Sequence, residues 1–291
     1  MVAVFLIKMG AYYLGWTINC LNIVRVFVQY HDMAHFSFFE SIWLNKFFGH
    51  LIALYVHFPF QMWRDGHNYH HKHFGNLDKV DLSQTILFTK KQYESYPTLK
   101  KLWIRLYREP LIFFFISAEY IWTFGVLYIA IKKYGLFSSA CLEKLAAMGS
   151  FYVFWLLDLP ILEMYVCLHM AELLGNVLFH LQHSVNMPYR ERMGKWDFNR
   201  AALEGSTFLE IPYPLKIFTC GIEYHHIHHL NTNVASYAIQ ACHDKLDTPK
   251  GLNWESFNIN RVDMLLAFKS LANVMLDEEK DLLIPFSYSH L

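Results

Sequence analysis

Histidine is over-represented in this chain, with 17 among 291 residues, and the spacing matters more than the number. The runs are HDMAH (His31, His35), HNYHH (His67, His70, His71), FHLQH (His180, His183) and HHIHH (His225, His226, His228, His229). On a helix, positions i and i+4 share a face, and i, i+3 and i+4 form a tight triangle on it. His31 and His35 can therefore grip an ion from one side. His67, His70 and His71, and likewise His225, His228 and His229, match the triangle H-x-x-H-H. His226 falls off that face and reads as a solvated or supporting residue. Adding His183 makes nine imidazoles. One zinc takes four ligands, so nine exceed the needs of one metal and suit two. Neutral imidazole accepts zinc, copper, iron or nickel, and ligand type alone leaves the metal open. A single H-x-x-x-H arises often by chance; two triangles, a pair and a further histidine indicate a metal centre. His50, His57, His73, His169, His180, His226, His243 and His290 read as packing, surface or supporting residues.

Those clusters need elements to hold them. The chain is 54% hydrophobic and only 17% charged, below the roughly 25% charge of a soluble domain, which points to a membrane. Three spans are expected, at about residues 3–29, 111–131 and 146–181, the last kinked at LDLP. A cleavable signal peptide is disfavoured for the first, which lacks a basic leader and a small-x-small site. The apolar stretch 47–63 is too short to span and reads as shallow or re-entrant. Polar stretches 64–108 and 187–291 follow as a cap. Only Lys132, Lys133 and Lys144 lie between the second and third spans, so the positive-inside rule puts that loop away from the cytosol and every cluster on the cytosolic side. The expected fold is an all-α integral membrane protein: a helical bundle with a cytosolic helical cap holding the histidine-rich site, as one domain over 1–291.

The 25 basic and 25 acidic residues cancel, so no cationic field for nucleic acid exists. Five cysteines without a CxxC exclude a zinc ribbon, a redox dithiol and a disulfide scaffold. Acids near the clusters, Asp32, Asp65, Asp78, Glu204 and Glu223, can orient a histidine by accepting its distal N–H; Asp32, inside a cluster, is the preferred candidate. Glu119, Asp158, Glu163 and Glu172 lie within spans, where charge is costly, and receive no catalytic assignment.

HDMAHFSFF, WRDGHNYHHKHFGNLDKVD, WDFNRAALEGSTF, GIEYHHIHHL and MLDEE, in this order, resemble the histidine boxes and flanking segments of the membrane fatty acid desaturases, and within them the acyl-lipid Δ12 (omega-6) type. The resemblance covers nearly the whole chain. It implies a di-iron centre, with His31, His35, His67, His70, His71, His183, His225, His228 and His229 as ligands. This centre would activate O2 with two electrons and remove two hydrogens from adjacent methylenes of a fatty acyl lipid. The sequence departs from the family pattern at QHSVN, where Asn186 replaces an acid, at VASY, and in having one span before the first box. With no fused cytochrome b5 domain and no Gly-rich dinucleotide fingerprint, electrons would come from a separate ferredoxin or cytochrome b5. The expected location is a bacterial inner membrane, or the endoplasmic reticulum in a eukaryote. The alternatives are a hydroxylase of the same superfamily, a non-catalytic histidine-rich membrane metal-binding protein, and an inactive relative.

Overall fold

The structure is a computed structural model that describes residues 5–6, 9–79, 88–117, 120–185, 189–246 and 257–288. Asn186, Glu119 and His290 lie outside the described residues. The chain divides into two compact units, each treated by itself below.

The first unit comprises Met1–Asp65, Ala118–Asn176 and Ile217–Thr219. Its helices are α1 (Tyr12–Ala34), α2 (Ile42–Val56) and the start of α3 (Phe60–His73). Further along come α7 (Ile121–Tyr134), α8 (Ser139–Leu156) and most of α9 (Ile161–His183). α1 and α2 pack through Tyr30, Met33, Ala34, Ala53 and Val56, with Phe60 joining them. The Tyr30 hydroxyl donates to the Phe58 carbonyl at 2.9 Å. α2 opens on a Ser41 cap that accepts the Leu44 N–H at 3.4 Å, and closes at His57 in the left-handed conformation, φ 57°. Two neighbouring residues of α8 pin the break that follows. Glu143 accepts the Phe60 N–H at 2.8 Å, capping α3, and buried Lys144 donates to the His57 carbonyl at 2.9 Å. The expected shallow segment 47–63 is thus two helices meeting at a polar, pinned corner.

The second unit comprises Gly66–Ser117, Val177–Lys216 and Cys220–Leu291. It holds the end of α3, the strand β1 (Phe88–Thr89), and helices α4 (Lys90–Glu94), α5 (Thr98–Arg108) and α6 (Pro110–Ile116). After the last turns of α9 come α10 (Phe198–Gly205), β2 (Thr207–Leu209), α11 (His225–Leu230) and α12 (Ser236–Leu246). β3 (Asn260–Val262), α13 (Met264–Ser270), β4 (Met275–Asp277) and β5 (Leu282–Ile284) complete it. β1 runs parallel to β4, which pairs antiparallel with β5, while β2 and β3 form a parallel pair. Beneath them Phe88, Tyr93, Ile104, Val274, Met275 and Ile284 make one core. Leu181, Val185, Leu209, Ile211, Val262 and Ala267 make another.

Three expectations are corrected here. The fold is mostly helical rather than all-α. Its strands are two or three residues long, too short to show a period-two pattern, and β1 with β4 and β2 with β3 join segments distant in the chain. The expected kinked third span is two helices, α8 and α9. Asp158 at φ 51° and Pro160 leave Pro160 no N–H to continue a ladder. Lastly, among the described residues only α9 is by itself long and apolar enough to cross a membrane, with 22% of its apolar window buried in the protein. α1 is as long as α9, 23 residues, but its last turns carry Arg25, Gln29, His31 and Asp32. The expected span 111–131 is helical in two pieces, α6 and α7, on either side of the undescribed residues.

Candidate metal centre

In the second unit, three helical segments supply seven of the expected ligands. α3 carries His67, His70 and His71, the last turn of α9 carries His183, and α11 carries His225, His228 and His229; all seven are buried. α11 has six residues, too few to be stable in isolation, so its place is set by its neighbours. Gln182, adjacent to His183, donates to the Ile222 carbonyl at 3.1 Å, and the Leu209 N–H of β2 donates to the Glu223 carbonyl at 2.9 Å. Gly221 turns the chain into α11 at φ 92°, so close to α12 that a Cβ would meet the Ser236 carbonyl oxygen at 2.5 Å.

The ring nitrogens converge in two groups. In one, His71 Nε2 lies 3.0 Å from both His67 Nε2 and His228 Nε2. In the other, His229 Nε2 lies 3.2 Å from His70 Nε2 and 3.1 Å from His225 Nε2, which is itself 3.1 Å from His183 Nε2. Within each group the ligand atoms lie within 4.8 Å of one another. A ring nitrogen carries at most one proton, and a nitrogen facing two others at 3 Å cannot hydrogen-bond to both as donor. A metal resolves the conflict. With nitrogens at about 2.1 Å from an ion, neighbouring ligands fall about 3.0 Å apart at right angles and about 3.4 Å apart in a tetrahedron. The observed spacings match those values, so these residues fit two metal ions.

Burial favours the neutral, metal-binding form of His183 and His229. Burial, reinforced by His71, His225, His70 and His183, holds His229 well below the ordinary histidine range. Phe179 and Phe74 wall the second group. Phe74 lies 4.4 Å from the His183 ring and 4.6 Å from His229, and Phe179 lies 5.2 Å from His183, centre to centre. Arg190 covers Phe74 at 4.4 Å and donates to the carbonyls of His183 at 2.8 Å, Tyr189 at 2.8 Å and Gly205 at 3.2 Å. Burial pushes this guanidinium down to about 10. Neither Arg190 nor Phe74 stands out in the sequence. A half-buried guanidinium bonded to three carbonyls is visible only once the chain is folded.

The remaining two expected ligands lie in the first unit. His31 and His35, in and just after the last turn of α1, are buried with ring centres 4.9 Å apart. Asp32, also buried, places Oδ1 3.3 Å from His31 Nδ1. Three of the other candidate acids hold other partners. Asp65 accepts from Arg64 and Tyr134, Asp78 from Arg192 and the Met193 N–H, and Glu204 from Arg200; Glu223 is buried.

His226 is not solvated. It is fully buried, its Nε2 3.1 Å from Nδ1 of buried His243 on α12, with the Phe208 ring 5.9 Å from His226 and the Tyr224 ring 5.0 Å from His243. Burial first, and His243 second, lower it to about 3. His180 is also a structural residue, its Nε2–H donating to the Ser270 carbonyl at 3.1 Å.

Two hollows complete the description. A cavity of about 260 Å³ in the second unit is lined by Asn68, Lys72, Phe198 and Asn231 together with His71 and His229, one ligand from each group. In the first unit an apolar cavity of about 420 Å³ is lined by Ile23, Ile52, Phe151, Phe154, Met164 and Leu168 among others.

A family model described as "Fatty acid desaturase" matches residues 9–253, an interval that contains all nine expected ligands. The chain is similar to a "Fatty acid desaturase" of Bacillus subtilis, 28% identical over 277 residues, with 91% of this chain and 74% of that one covered. It is similar to an sn-1 oleoyl-lipid 12-desaturase of Picosynechococcus, 23% identical over 258 residues, covering 83% and 70%. It also resembles a chloroplastic omega-6 fatty acid desaturase of Glycine max, 25% identical over 280 residues, covering 88% and 62%.

Proposed function

The chain belongs to the fatty acid desaturase family of oxidoreductases, and from that premise we propose that it desaturates a lipid-linked fatty acyl chain at Δ12 or a nearby position, using two histidine-bound irons. The observation that supports this reading is the convergence of His67, His71 and His228 in one group and of His70, His183, His225 and His229 in another, at spacings that suit metal ligands. In this reading His31 and His35 are ligands too, as the resemblance to the family boxes implies. The redox chemistry favours iron over zinc, which cannot change oxidation state.

When bound, the irons supply an oxidant made from O2 and two electrons, so that a CH2–CH2 unit, O2, two electrons and two protons yield CH=CH and two waters. The protein's own residues do the rest. Neutral imidazoles hold the ions without adding charge. Asp32 accepts the His31 Nδ1–H and so leaves Nε2 as the ligand atom. Phe74 and Phe179 keep the second group dry. The apolar cavity of the first unit has the chemistry an acyl chain requires. The names of the relatives that act at position 12 support the regiochemistry. In this reading the electron donor is a ferredoxin or cytochrome b5.

The test is metal content per chain of detergent-purified protein by plasma mass spectrometry, followed by lipid analysis in a desaturase-free host. Two irons per chain, with acyl products two mass units lighter, support the reading. A gain of sixteen mass units identifies a hydroxylase, and little metal of any kind overturns the di-iron assignment.

A further inference from the structure

The histidine-bearing second unit carries a surface that the metal centre does not use. α5, Thr98–Arg108, presents Leu99 (82% exposed), Leu102 (48%), Trp103 (64%) and Leu106 (53%) to the outside. At 3.6 residues per turn these four share one face about 100° wide. Ile104 and Arg108 point the opposite way and are buried, Ile104 in the core with Phe88, Tyr93 and Met275. The exposed stripe is therefore not the side that holds the helix to the protein. Lys100 and Arg105 flank it on its two sides, Lys100 exposed and Arg105 half-buried, its guanidinium held by core residue Tyr93 and the Phe286 carbonyl. Lys100 Nζ sits 3.4 Å over Tyr96, and Arg105 Nε donates to the Tyr93 hydroxyl at 2.7 Å.

From this geometry we infer that α5 lies in the plane of the membrane surface, its Leu99–Leu102–Trp103–Leu106 face in the boundary between headgroups and acyl chains and exposed Lys100 against lipid phosphates. The occupant is a lipid surface for three reasons. The helix has 11 residues, about 16 Å against the roughly 30 Å of a hydrocarbon core, so it cannot span. Its apolar arc bordered by cations, with a tryptophan at its edge, is the pattern of an interfacial helix. One residue after it, α6 in the same unit exposes Leu111, Phe115 and Ile116, so the apolar surface is continuous with a helix that is itself apolar. α5 thus belongs to the bilayer surface rather than to the solvated cap in which the polarity of 64–108 places it. This inference goes beyond the catalytic reading and stands whichever metal is bound.

The experiment compares the full chain with Trp103→Phe, an exposed and conservative change, in vesicles of phosphatidylcholine and phosphatidylglycerol. The difference in tryptophan emission between the two proteins isolates Trp103. It is measured with bromine placed on the lipid chains at a shallow or a deep carbon. The expected result is a Trp103 component quenched more by the shallow label than by the deep one, and unchanged as the protein-to-lipid ratio is varied. A component quenched by neither label overturns the inference, as does stronger quenching by the deep label. A quenching that weakens as protein becomes denser overturns it too, because the face is then covered by a second copy.

Discussion

His226 and His228 stand two positions apart on one short helix and have different partners. His228 Nε2 faces His71 Nε2 in the first metal group, whereas His226 turns away to His243. Replacing His228 by Ala is expected to lower metal per chain and abolish product. In His226→Ala the folded fraction keeps its full metal content, but stability falls by about 1–3 kcal/mol, because buried His243 loses its partner; metal analysis and thermal unfolding together separate the two. Asp32 offers a subtler test. Asp32→Asn keeps the shape but weakens the acceptor that orients His31, and metal affinity should drop about 10–100-fold in a chelator competition. That the histidines of each triangle share a face was legible from spacing, since a helix converts i, i+3, i+4 into one face. Whether His226 was wet or buried was not, because that depends on α12, whose contact with α11 is a matter of tertiary packing.

Elements decide where these faces point. α11 is too short to stand alone, and the turn at Gly221 lets it approach α12 so closely that no side chain fits between them. Gly221→Ala must either strain the backbone at positive φ or push Ser236 away. An expected cost of about 1–3 kcal/mol should appear as a lower melting temperature, and displacement of His225, His228 and His229 as reduced metal occupancy. At the start of α3, Glu143 and Lys144 of α8 hold the corner from which the second box departs. That pairing joins residues far apart in sequence, and no local pattern announces it. Span lengths were misjudged for a related reason. Hydropathy windows run across Asp158–Pro160 and across the polar end of α1, while backbone geometry stops or extends the helix there.

For the molecule as a whole, metal and fold are coupled. Seven buried imidazoles from three segments face one another in the second unit, and without ions their nitrogens compete for the same few protons. Removing metal with a chelator should lower the melting temperature, and adding back ferrous iron should restore it. The difference approaches about 3 kcal/mol when free ion stands near a hundred times its Kd. A chain whose melting temperature ignores both treatments would not use these histidines as a metal centre.

By itself the sequence determined the chemistry: which histidines share a helical face, that they are too many for one ion, and that they sit in a largely apolar, membrane-type chain. It could do so because helical periodicity and ligand type are local properties. The tertiary structure decided the rest. It paired nitrogens of α3, α9 and α11 at metal-ligand spacing, recruited Arg190 and Phe74 behind them and buried His226 on His243. It also split the long apolar stretches and left the α5 stripe uncovered. Each of these depends on contacts between segments distant in the chain, and such contacts leave no trace in spacing or composition.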